Sequence, residues 1–145
     1  MGRDARKAEQ ALLWSERLAP GLDAFEEMAA EAFRTLPDEF RALCGDLVIR
    51  ITEFADGETL DALDLDNPYD LLGLFEGHGL AQAGATGWTG QMPNRIHLYR
   101  RAILDYWADY DEPLGAIITH VLIHEIGHHF GLSDDDMERI EATGE

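Results

Sequence analysis

His124-Glu125-Ile126-Gly127-His128-His129-Phe130-Gly131-Leu132-Ser133-Asp134 is the stretch on which the reading of this chain turns. On a helix, His124 and His128 lie one turn apart, so both imidazoles can close on one metal ion. Glu125 stands about 100° around the helix from His124. There a carboxylate can hold a metal-bound water and take its proton. Gly131 is suited to the left-handed conformation that ends a helix. Asp134 follows in reach as a third ligand, and the remaining position is left open for water, as catalysis requires.

The pattern, HExxHxxGxxD, is more specific than its first five positions. Gly and Asp at their two offsets each lower the chance rate by roughly fifteenfold at ordinary residue frequencies. The surroundings agree. Asp111-Glu112-Pro113 offers an N-cap, an acid and a first-turn proline, which predicts a helix from near residue 112. Leu122, Ile123, Ile126 and Phe130 fall on one apolar arc, and His120, His124 and His128 lie roughly opposite. Such a helix buries one side and presents histidines toward a cleft.

No histidine follows His129, which leaves a carboxylate as the third ligand. Glu138, Glu141 and Glu145 follow the motif too closely to act as a glutamate from a distant second helix, so Asp134 is the expected choice. Asp134 has a second reading compatible with the first. Ser133-Asp134-Asp135-Asp136 looks like the start of a final helix to about Ala142, with Ser133 as its N-cap and acids at the positive end of its dipole. His129 points about 100° away from His128 and is expected to pack on the helix flank. His120 is expected to support a ligand or line the cleft. His78 and His97 carry no motif.

The motif resembles the zincin superfamily in its aspartate-ligand branch. Asp70 to Gly77, Arg95 to Arg101 and His124 to Asp136 together look like a family of small bacterial zincin-like metallopeptidases. That resemblance implies an α+β, minimal zincin-like fold, with several helices and a small sheet beside the active-site helix. It also implies one zinc ion held by His124, His128 and Asp134, Glu125 as the catalytic carboxylate, and a peptide or protein substrate. Met137, three residues beyond Asp134, is expected to pack on the last helix rather than to underlie the metal.

The whole chain sets bounds. Its 145 residues, 46% of them hydrophobic, suffice for one domain with a real core and no staples. The single domain is expected to span residues 1–145, with 1–21 as a helical extension. The lone cysteine, Cys44, gives neither a disulfide framework nor a thiolate metal cluster. A formal charge of −18 argues against nucleic acid, whose phosphates would be repelled. No apolar run approaches membrane-spanning length, and the charged N-terminus lacks a signal core, so the expected address is cytoplasmic with no membrane partner.

Along the chain, helices are expected over residues 4–18 and 22–35, with one or two turns over 39–43. Strands are expected over 46–55 and 95–101, and a short strand or turn at 70–75. The segment from Arg95 to Arg101 is the candidate cleft edge, where a substrate could add as a strand. Residues 84–90 read as a glycine-rich loop, either a lid or passive surface. The rival to a peptidase is a metal-stabilised peptide- or protein-binding module that cuts nothing efficiently.

Overall fold

The run from Leu114 to Ile126 has too many large apolar residues to serve a surface helix, and it becomes the spine of the molecule. The computed structural model describes residues 2–77 and 93–143. Among them the order is α1 (Gly2–Ser15), α2 (Leu22–Arg34), α3 (Asp38–Cys44), β1 (Leu47–Thr52) and α4 (Gly57–Ala62). A 3₁₀ turn (Pro68–Asp70), β2 (Gly73–Glu76), β3 (Asn94–Tyr99), α5 (Arg100–Asp109), α6 (Leu114–His129) and α7 (Asp134–Thr143) follow. This is the expected α+β architecture. The loop over residues 84–90 lies outside the described residues.

The three strands run in the order β1-β3-β2, with β1 parallel and β2 antiparallel to β3. Ile96 of β3 lies opposite Ile49 and Phe75, and Leu98 opposite Ile51 and Gly73. Ile96 and Leu98 are fully buried and share one cluster with α6, α2 and Met137 of α7. The other sheet face carries a smaller cluster of Ala55, Tyr99 and Ala102. α3 ends on Cys44, buried in the main cluster, where desolvation pushes its thiol up to about 11.

Two expectations need correction. β3 is the central strand, so it is not the edge; among the described residues β2 is an edge strand beside it. β3 also stops at Tyr99, because β1 ends at Thr52 and the next pairing is a single bond from the Arg101 amide to the Glu53 carbonyl, 3.0 Å. Arg100 and Arg101 instead open α5. There the Arg100 guanidinium donates to the Pro20 carbonyl at 2.7 Å and to Glu53 Oε1 at 2.8 Å, tying the segment before α2 to the sheet. α1 lies outside this frame, with Leu12 and Leu13 exposed and Trp14 touching Trp107 at a ring separation of 6.0 Å.

Candidate metal centre

The end of α6 is made by sequence-local chemistry. Gly131 takes φ +75°, and the Leu132 and Gly131 amides donate to the Gly127 and His128 carbonyls at 2.9 and 3.2 Å. That pair of bonds is the left-handed helix stop that glycine permits. α7 starts at Asp134, three residues after Gly131. Ser133 Oγ accepts from the Asp136 amide at 3.1 Å, and Asp136 Oδ2 accepts from the Ser133 amide at 3.3 Å. This reciprocal cap, with the Arg139 guanidinium also paired to Asp136, holds the carboxyl of Asp136 below its ordinary value.

The short turn folds α7 back against α6. Met137 is fully buried, and a Cβ placed on Gly127 would come within 2.8 Å of its Cγ. Glycine at 127 is what lets the two helices approach. Met137 therefore packs from the last helix, as expected, but its partner is the turn of α6 between His124 and His128. One turn further along α7, Glu141 meets the histidines. Glu141 Oε1 lies 2.7 Å from His120 Nδ1 and 3.1 Å from His124 Nε2. His120 and His124 stack at 3.9 Å between ring centroids, whereas His124 and His128 stand edge to face at 5.7 Å.

The predicted ligands are thus distributed as follows. His124 is partly buried and His128 is exposed one turn on; Asp134 is exposed in the first turn of α7. Among the described residues, the donor atoms gathered within 4.8 Å of one another belong to His120, His124 and Glu141. Glu141 is a residue that sequence reasoning set aside. Its distance along the chain from the motif misleads, because an antiparallel hairpin returns it to the level of His124. The signal available in the sequence was the pair Met137 and Glu141 on one face of the final helix.

Glu125 is half-buried, and burial raises its pKa while the neighbouring His128 opposes the shift. Burial also lowers the pKa of His124, followed by the effect of His120; the Glu141 carboxylate works in the other direction. Tyr99 is pushed up to about 12 by burial first, then by the charges of Asp56, Glu76 and Glu125. His129 is packed as expected, its ring 4.3 Å from that of Phe75. Beside the histidines opens a cleft of about 340 Å³ lined by Leu72, Tyr106, Glu112, Ile117, His120 and Val121. A larger groove, about 700 Å³, lies between α3 and α7 and contains no histidine, so it carries none of this chemistry.

The profile of the zincin-like metallopeptidase family matches residues 44–143, which span everything from the end of α3 to the end of α7. The chain belongs to that family. No curated protein matches it significantly. The family implies a zinc cofactor, and the imidazoles and carboxylates of α6 and α7 are the donor types that zinc takes. No described helix is long and apolar enough to cross a membrane.

Proposed function

We propose that this protein is a zinc-dependent peptidase in which His124, His128 and Asp134 hold one ion and Glu125 is the general base. The observation that carries the reading is Glu125 itself. It follows a metal-ligating type of histidine, sits half-buried beside His128, and has a pKa raised by burial. A structural ion has no need of such a carboxylate. Zinc bound at this place would acidify a water and polarise a peptide carbonyl. Glu125 would take a proton from the attacking water and hand it to the departing amine, two tasks that its raised pKa brings closer to balance. Partial burial keeps bulk water from screening the carboxylate.

A peptide in extended form would pair with β2, an edge strand among the described residues, and the cleft beside His120 would accept one of its side chains. The strongly acidic chain disfavours nucleic acid as a partner. The enzyme is read as one cytoplasmic domain over residues 1–145, with residues 1–21 as a helical extension. A second reading, a metal-stabilised binding module, is favoured by one observation. Glu141 closes on His124 Nε2, a nitrogen that hydrolysis needs on the metal.

The two readings separate on Glu125→Gln. In a peptidase the variant keeps its zinc, measured by elemental analysis, and loses roughly 10²–10⁴-fold in turnover of a peptide library. Unchanged turnover in protein free of contaminating protease would remove Glu125 from the mechanism.

A further inference from the structure

We propose that His120 Nδ1, His124 Nε2 and Glu141 Oε1 form a second divalent-cation position, one helical turn before the His124–His128 pair and sharing His124 with it. The three atoms come from two elements: His120 and His124 stand one turn apart on α6, and Glu141, 17 residues beyond His124, reaches both from α7. Two imidazoles and one carboxylate make a donor set that zinc takes, and either ring nitrogen of a histidine can serve. The spacing fits as well. Bonds of about 2.0–2.2 Å in a tetrahedron place neighbouring donors about 3.3 Å apart. The two histidine–carboxylate separations are 2.7 and 3.1 Å, and all three atoms lie within 4.8 Å of one another. An ion would therefore enter with the carboxylate backing away by roughly half an ångström, within the reach of a glutamate side chain.

The scaffold for this position is already in place. Met137, buried under Gly127, fixes the face of α7 that meets α6, and Glu141 extends from that face one turn later. The stacked rings of His120 and His124 stand on the same side of α6, with His120 half-exposed and open to solvent. With both positions drawing on His124 Nε2, which can bind only one ion, this position and the one with His128 exclude each other. An ion here is held away from His128, so the position stores the cation or takes it up without assembling the hydrolytic centre.

This deepens the peptidase reading, from which it takes His124, yet its test does not depend on turnover. The full-length chain carrying His128→Ala is titrated with Zn²⁺ against a chromophoric chelator, and with Co²⁺ by visible absorption. The expected result is one ion retained per chain. Adding Glu141→Gln to that background should weaken binding by at least about 100-fold, the upper end of what losing a mere outer partner costs. His120→Ala, at a half-exposed side chain, removes one pairing with Glu141 but leaves the buried Gly127–Met137 seam between α6 and α7 in place; it should act likewise and decides the matter if the Glu141 variant misfolds. No ion in folded His128→Ala, or affinity indifferent to both Glu141 and His120, overturns the position. That outcome with Glu125-dependent turnover intact would leave the peptidase reading standing. An ion held by His120, His124 and Glu141 without Glu125-dependent turnover would do the reverse.

Discussion

The two sides of α6 come from the same sixteen residues and answer to different demands. On one side Ile118, Leu122 and Ile126 are completely buried among the sheet, α2 and Met137. On the other, His120, His124 and His128 are half-exposed, partly buried and exposed in turn. The packed side explains why the segment is a helix and where it lies. Nothing in that packing requires imidazole at three successive turns of the open side. The contrast teaches that the histidines stand outside the buried core, with Glu141 as the α7 partner of His120 and His124, so changes on the two sides should register in different measurements.

The largest effect expected on the open side is chemical. Glu125→Gln should remove roughly 10²–10⁴-fold of turnover while leaving the far-ultraviolet spectrum unchanged. On the packed side, Leu122→Ala should cost about 2–5 kcal/mol in urea unfolding, since Leu122 has no exposed surface and leaves a cavity. A loss below about 1 kcal/mol would mean that the core relaxes freely around α6. Gly127→Ala probes the seam between the sides. Helix propensity favours alanine by up to about 1 kcal/mol. Crowding against buried Met137 should outweigh it and destabilise by about 1–3 kcal/mol. If the variant proves more stable, the approach of α7 is looser than described.

Smaller still is a pH effect at Glu125. Burial raises its folded pKa above the ordinary value of 4.5, so its stabilising contribution is complete below the unfolded pKa. That contribution disappears as pH rises through the folded pKa. Metal-free Glu125→Gln should therefore gain on wild type in melting temperature as pH increases from the ordinary carboxylate range. A gap that is constant or closes would contradict the burial of this carboxylate. The smallest effect belongs to His128→Ala without metal, within about 0.5 kcal/mol of wild type, as for exposed positions generally.

The sequence made the metal helix legible because its signals are local. Proline at 113 precedes the first turn, glycine at 131 supplies the positive φ, and Ser133 caps the next helix. α2 and β1 were equally readable, with boundaries moved by a residue or a few. What escaped was decided between distant segments. Arg100 to Asp109 carries Ile103, Tyr106 and Trp107, residues that suit strands as well as helices. Its helical state follows from where β1 stops and from the Arg100 contacts to Pro20 and Glu53. The central place of β3 depends on a parallel crossover that no periodicity encodes. The contacts of Glu141 escaped for the same reason: its partners are set by a hairpin, not by spacing along one helix.

The hairpin also bears on the order in which the chain assembles. His124 and Glu141 meet across 17 residues, while Asn94 and the Cys44 carbonyl, which flank the β1–β3 pairing, meet across 50. Closing the longer loop costs about 1 kcal/mol more, so the α6–α7 unit can form while the sheet is still open. Zinc added during refolding should then speed the forward reaction rather than only slow unfolding. Faster folding with metal would make α6 a nucleus as well as a site, whereas an unchanged folding rate would place the hairpin late.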